Sequence, residues 1–233
     1  MKITDEMKSY LVNKYHEIRQ QDRKLFFENH LRPQVVVEDV IDFIQVKHMQ
    51  LAVIEKDGAR IFMILGSNQF IDWFYNFWFR LAKTPYSETG TDKKIKAHTG
   101  FYKSYLLIRK EMHLMCSNAK NIIIMGQSLG GAITTFAALD INYNFPDKNI
   151  AAMTTGSPKC GNKYFVEPYN RRVPDTYRYV YGNDIVPGLP PAIFPSKHVS
   201  QEIHLGPART CGLSICDHMY QSGAYIKDLT KHN

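Results

Sequence analysis

The stretch Gly126-Gln127-Ser128-Leu129-Gly130 sets a serine between two glycines. It follows the apolar run Ile122 to Met125 and precedes Ile133, Phe136, Ala137 and Ile141 at helical spacing. A five-residue pattern arises readily by chance. A strand, then this pattern, then a helix is what a nucleophile elbow requires. Glycines at 126 and 130 have no Cβ, so backbone can crowd a sharply turned Ser128. The turn lifts the Ser128 hydroxyl clear of the sheet at a helix N-terminus, where the macrodipole favours negative charge. That is the chemistry of acyl transfer through a nucleophilic serine. The alternative is a plain Gly-Ser turn, which the strand–helix context disfavours.

A serine hydroxyl needs a base, and the base needs an acid to orient it. In such a fold the chain order is Ser, then Asp or Glu, then His. The acid belongs at the carboxyl end of a later strand. Thr176 to Tyr181 is a strand-like run, and Gly182-Asn183-Asp184 follows it, so Asp184 is the candidate acid. Asp175 precedes the run and falls at the wrong end. Beyond Asp184 stand His198, His204, His218 and His232. His232 is next to last, and His204 sits within a strand-like segment. His218 is expected to open the final helix behind Asp217 as N-cap. It is favoured over His198, which shares a loop with Asp184.

These side chains need a scaffold that alternates short strands with helices. Met7, Leu11, Tyr15 and Ile18 mark one helical face. Val36, Val40, Phe43 and Ile44 are spaced as a second helix after Pro33. Gln50 to Glu55 and Arg60 to Leu65 read as strands joined by the turn Lys56-Asp57-Gly58-Ala59. A helix from Phe101 to Cys116 presents Tyr105, Ile108, Met112 and Met115. Asn121 to Met125, Ile150 to Thr155 and Val199 to Leu205 read as further strands, and a last helix spans about Asp217 to Asp228. The pattern predicts an α/β chain with a mostly parallel sheet and helices on both faces.

The 233 residues are 44% hydrophobic and 22% charged, which excludes disordered, collagen-like and coiled-coil chains. The longest apolar run, Ile61 to Leu65, is too short to span a bilayer. The start, Met1-Lys2-Ile3-Thr4-Asp5-Glu6, turns acidic without an apolar h-region, so a cytoplasmic protein is the default expectation, with a trimmed signal or release by another route as the alternative. The cysteines, at 116, 160, 211 and 216, form no CxxC pair, which argues against zinc. They read as free thiols, with a Cys211–Cys216 disulfide open to an oxidising compartment. The net charge of +7 suits an anionic surface, although the basic residues are scattered. No nucleic-acid motif accompanies them.

Taken together, the blocks resemble the class 3 lipases, the α/β-hydrolase group that includes fungal triacylglycerol lipases. The resemblance runs from about Ile61 to Tyr220. It rests on Gly66-Ser67 with Asp72-Trp73, on His98-Thr99-Gly100-Phe101, and on Gly126 to Ala132. It continues through Gly156-Ser157-Pro158-Lys159-Cys160-Gly161-Asn162, Asn183 to Pro191 and Asp217-His218-Met219-Tyr220, in matching order and spacing. It implies Ser128 as nucleophile, Asp184 as acid and His218 as base, with His198 a non-catalytic histidine. Ile64-Leu65 stands where the family often has Phe-Arg, and Gln127 where it usually has His. The first 50 residues carry no matching motif.

Acyl transfer also needs donors for an oxyanion. The backbone N–H of Leu129 is one, and Ser67, after an early strand, matches the family's oxyanion residue. From Phe70 to Leu81, nine of twelve residues are apolar or aromatic, and Asp72, Asn76 and Arg80 recur every four residues. On a helix this leaves one narrow polar stripe. An ordinary core helix would fit. The resemblance instead implies a lid over roughly residues 68–84, with Phe70, Trp73, Phe74, Phe77 and Trp78 as its apolar face. The expectation is one α/β-hydrolase domain over 1–233 that cleaves lipid acyl esters. No metal or organic cofactor, nucleic acid or obligatory protein partner is implied. Contact with lipid interfaces, anionic ones included, is expected. An esterase for soluble esters, a phospholipase A1, an acyltransferase or a non-catalytic binding module are the alternative readings.

Overall fold

Runs of β-branched and other apolar residues build a seven-stranded sheet. The computed structural model describes residues 1–29, 37–65, 81–83, 95–207, 212–218 and 224–229. Strands β1 (Val40–Val46), β2 (Met49–Lys56) and β3 (Ala59–Leu65) pair antiparallel in sequence order. A separate ribbon pairs β4 (Leu81–Lys83) with β5 (Lys96–His98). β3 then pairs in parallel with β6 (Asn121–Gln127), and β7 (Asn149–Thr155), β8 (Thr176–Tyr181) and β9 (Glu202–Leu205) follow in parallel. The β2–β3 turn uses Asp57 at φ 50° and Gly58 at φ 71°, the two left-handed residues of a type I′ hairpin.

Strand alternation divides the core between two faces. Ile122 and Ile124 pack with α2 (Thr99–Cys116), α3 (Leu129–Asn144) and α4 (Lys163–Arg172). Ile123 and Met125 point the other way, toward Leu11, Val12, Tyr15 and Ile18 of α1 (Asp5–Asn29) and Tyr225 of α5 (Ala224–Leu229). Helices therefore cover both faces, as a mostly parallel sheet demands. α3 is buried from Leu129 to Ile141, which its apolar sequence permits on every side.

Three expectations are corrected. From Val40 onward, the segment read as a helix is β1. A bulge between Val40 and Asp42 interrupts its alternation, so the apolar spacing imitates a helix; Val36 lies outside the described residues. The last helix begins at Ala224 rather than Asp217, and His218 sits in a turn. Leu81 belongs to β4 rather than to the end of an aromatic helix. The sequence reading also missed α4, whose interior Pro168 hides it, although Asn162 caps it by accepting the Phe165 N–H at 3.1 Å.

Candidate active site

Ser128 occupies the turn between β6 and α3. Its φ of 57° and ψ of −123° are a conformation that a side chain rarely adopts. The turn holds because Ser128 N–H donates to the Thr155 carbonyl at the end of β7, at 2.9 Å, while its own carbonyl accepts from Ala132. It also needs bare backbone next door. A Cβ on Gly126 would stand 2.3 Å from the Gly130 backbone, closer than any real contact.

Asp184 follows β8 after the Gly182-Asn183 turn. That turn places the carboxylate at the same edge of the sheet as Ser128. Asp184 Oδ1 accepts the Val186 N–H at 2.9 Å. Its Oδ2 accepts from His218 Nδ1 at 3.0 Å and from the Tyr225 hydroxyl at 2.5 Å. Asp184 and His218 are buried, and Ser128 is half-buried. The carboxylate only accepts, so Nδ1 of the neutral imidazole carries the proton. Nε2 is left to accept from Ser128 Oγ, 2.8 Å away. The structure thus brings Ser128, His218 and Asp184 into one hydrogen-bonded chain. Such a chain can draw a proton from a serine and hold the resulting imidazolium beside a carboxylate.

His218 is held by the loop before it. Ser214 N–H donates to the Asn183 carbonyl at 2.8 Å, and its own carbonyl accepts from Ile185 at 3.2 Å. Asp217 does not cap a helix. Its carboxylate accepts the Asn183 N–H at 2.7 Å and so ties the His218 turn to the Asp184 turn. Gln127, beside the nucleophile, donates its side-chain amide to the His218 carbonyl at 3.3 Å.

The remaining candidates lie elsewhere. His198 Nε2 donates to the Pro187 carbonyl at 2.7 Å. Burial, with Arg178 nearby, lowers its pKa to about 4, so the ring is neutral near pH 7. His204 is on β9 with Nε2 2.9 Å from the Pro207 carbonyl. The Asp175 carbonyl accepts the Ala152 N–H before β8, at the opposite edge of the sheet. Leu129 opens α3, with its N–H in the unpaired first turn. Ser67, the candidate lid residues Phe70, Trp73, Phe74, Phe77 and Trp78, Cys211 and His232 lie outside the described residues.

Two contributors escaped the sequence reading. Gly156, at φ +58°, lies against the Asp–His pair: a Cβ there would stand 2.7 Å from Asp184 Oδ2 and 2.9 Å from His218 Nδ1. Its place in the Gly-Ser-Pro block was the available signal. Tyr225 had none, because only folding brings α5 under Asp184.

Comparison with known proteins adds a family match. The family model described as Lipase (class 3) matches residues 61–194. A secreted mono- and diacylglycerol lipase of Fusarium solani is 32% identical over 164 residues, covering 66% of this chain and 47% of that protein. A secreted mono- and diacylglycerol lipase of Malassezia globosa is 33% identical over 94 residues, covering 40% of this chain and 31% of that protein. The chain thus spans about half, or less, of these curated relatives' lengths. Their names overturn the expectation of a cytoplasmic protein, since both relatives are secreted. The solved structure of lipase II from Rhizopus niveus superposes with a TM-score of 0.69 at 19% identity, over 97% of this chain and 93% of that one. That likeness is one of fold.

Proposed function

The chain belongs to the class 3 lipase family, and from that premise we propose that it is a serine carboxylic-ester hydrolase cleaving acyl esters of lipids outside the cytoplasm. The observation that carries this reading is the hydrogen-bonded chain Ser128–His218–Asp184 at 2.8 and 3.0 Å. Residues 1–233 act in it as one α/β-hydrolase domain. Ser128 Oγ attacks the ester carbonyl carbon, and its proton passes to His218 Nε2. The developing oxyanion takes a hydrogen bond from the Leu129 N–H, and Ser67 supplies a second donor. Support for Ser67 comes from register: β3 runs parallel to β6 with Ile64 beside Gly126, so the chain leaves β3 next to the elbow. The tetrahedral intermediate collapses, the bond to the alcohol oxygen breaks, and Nε2 returns the proton to that oxygen. Water then repeats the sequence on the acyl-enzyme and frees Ser128. Asp184 orients the ring throughout.

The substrate is a lipid ester, met at a lipid interface that includes anionic headgroups, consistent with the net charge of +7. A p-nitrophenyl ester chain-length series, with Ser128→Ala as control, tests the reading. Turnover that rises with acyl length and vanishes in the control is expected. Equal turnover in the control would refute it.

Gln127 has a measurable part in this scheme. Gln127→Leu removes the donor that steadies the His218 carbonyl. One buried hydrogen bond is worth about 1 kcal/mol, so kcat is expected to fall about five- to tenfold with KM little changed. Steady-state kinetics on a dissolved ester reads this directly, and an unaltered kcat would deny Gln127 any positioning role.

A further inference from the structure

The segment after Asp184 cannot complete its own hydrogen bonds. Val186-Pro187-Gly188-Leu189-Pro190-Pro191 holds three prolines, which have no N–H to donate. The 3₁₀ turn Val186–Gly188 starts normally. Gly188 N–H donates to the Ile185 carbonyl at 2.9 Å, and Leu189 N–H donates to the Val186 carbonyl at 3.0 Å. The next two donors in this i+3 pattern would be residues 190 and 191, and both are prolines. The turn therefore leaves the carbonyls of Pro187 and Gly188 to donors from elsewhere. His198 Nε2 serves the Pro187 carbonyl at 2.7 Å. A single residue serves the next three. Lys159 Nζ donates to the carbonyls of Gly188 at 2.7 Å and Pro190 at 2.9 Å, and Lys159 N–H donates to the Leu189 carbonyl at 2.8 Å. An ammonium suits the task, because it carries three donors and its bonds are charge-assisted.

Lys159 stands on a fixed base. The Cys160 carbonyl accepts His98 N–H at 2.8 Å, and Asn162 N–H donates to the Lys96 carbonyl at 2.9 Å. Gly161 between them bridges both Ala97 and Lys197. Three residues before Lys159 lies Gly156, against the Asp184–His218 pair. The gripped turn also leads straight to the acid, since Val186 N–H donates to Asp184 Oδ1 at 2.9 Å. Its Oδ2 accepts from His218 Nδ1 at 3.0 Å. A shift of carbonyls 188–190 thus moves the donor that fixes the carboxylate, and with it the group that orients the ring.

We propose that Lys159 is a positioning residue of the triad: its ammonium grips the Gly188 and Pro190 carbonyls and, through Val186 N–H, holds Asp184 on His218 Nδ1. The proposal rests on the hydrolase reading. Lys159 touches neither the ester nor the reacting atoms, so its loss is read in kcat rather than in KM.

Lys159→Met tests this, because it keeps the stem and the backbone N–H and removes both ammonium donors. Its kcat for a dissolved ester is expected to fall about tenfold with KM little changed, the scale of a small misplacement at the reacting groups. Lys159→Arg restores charged donors and is expected to recover most of kcat. Lys163→Met, which removes an exposed lysine of the same segment that lies over the Tyr164 ring, is expected to leave kcat unchanged. The far-downfield proton resonance of His218 Nδ1–H reports the bond to Asp184 without any turnover. It is expected to move upfield or broaden in Lys159→Met and to return in Lys159→Arg. A lysine that only stabilised the fold would lower the thermal midpoint and leave that resonance in place. Should Lys159→Met fail to fold, Lys159→Gln, with its shorter neutral donor, carries the same readings. Parent-like kcat and resonance in the variant that folds would overturn the proposal, as would lost kcat with the resonance unmoved. Absence of ester turnover in the unsubstituted protein sinks the hydrolase reading, while the resonance still decides the role of Lys159.

Discussion

Ser128→Ala and His218→Ala are each expected to lower kcat for a p-nitrophenyl ester by about 10⁴–10⁶-fold, with the fold intact. Ser128 Oγ and His218 Nε2 are 2.8 Å apart, the distance at which the serine proton passes to the ring. Removing one leaves the other without a task. The double variant is therefore expected to be barely worse than either single one. Circular dichroism and the thermal midpoint check folding, and active-site titration excludes traces of parent enzyme. Losses that multiply in the double variant would mean the two act independently, which contradicts the scheme. Full activity in His218→Ala, with loss in His198→Ala, would reassign the base.

The second large effect comes from a residue with no side chain. Gly156→Ala is expected to reduce kcat by about 10²–10⁴-fold, the upper figure matching what a triad loses when its acid no longer holds the base in its proper tautomer. Its new Cβ would stand 2.7 Å from Asp184 Oδ2 and 2.9 Å from His218 Nδ1, so the pair must part. Alanine at φ +58° also strains the backbone, by about 1–2 kcal/mol. Gly58→Ala separates the two contributions. Gly58 has φ +71° with nothing within 4 Å of a Cβ, so strain appears there without a clash. A fall in thermal midpoint for both variants, larger in Gly156→Ala, with kcat lost only in Gly156→Ala, is the expected pattern. Parent-like kcat in Gly156→Ala would show that the pair tolerates the methyl.

Legibility in the sequence followed the range of the interactions. β6 and β7 are buried on both faces, so Ile122 to Gly126 and Ile150 to Met153 read as apolar runs, while β8 shows itself by its tyrosines and Val180 around Arg178. The elbow reads locally as well, because Gly126 and Ser128 answer to their immediate neighbours. Strand direction was enough to rank Asp184 above Asp175, since it decides which edge each residue reaches, whereas His218 was ranked above His198 on a helix start at Asp217 that the structure does not have. β1 defeated the periodicity because one extra residue shifts its register between Val40 and Asp42. The roles of Gly156, Gln127 and Tyr225 were hidden for another reason. Each depends on a partner in a distant segment, and although the Gly-Ser-Pro block flags Gly156, it does not name Asp184 and His218 as the neighbours.

The Tyr225 hydroxyl on Asp184 ties the reacting groups to a short helix. α5 spans six residues, Ala224–Leu229, too few for a helix to persist alone in water. Its order is borrowed from neighbours: Ser9 of α1 donates to the Leu229 carbonyl at 2.9 Å, and Tyr225 lies on Tyr181 of β8 with ring centroids 5.9 Å apart. Such a segment opens on its own, at a free energy well below that of global unfolding. Each opening withdraws a hydrogen bond from the carboxylate and exposes it to solvent while the seven strands stay paired. Turnover on warming is therefore expected to follow this local opening equilibrium and to decline while the sheet is still native, which activity and circular dichroism followed along one temperature ramp would show.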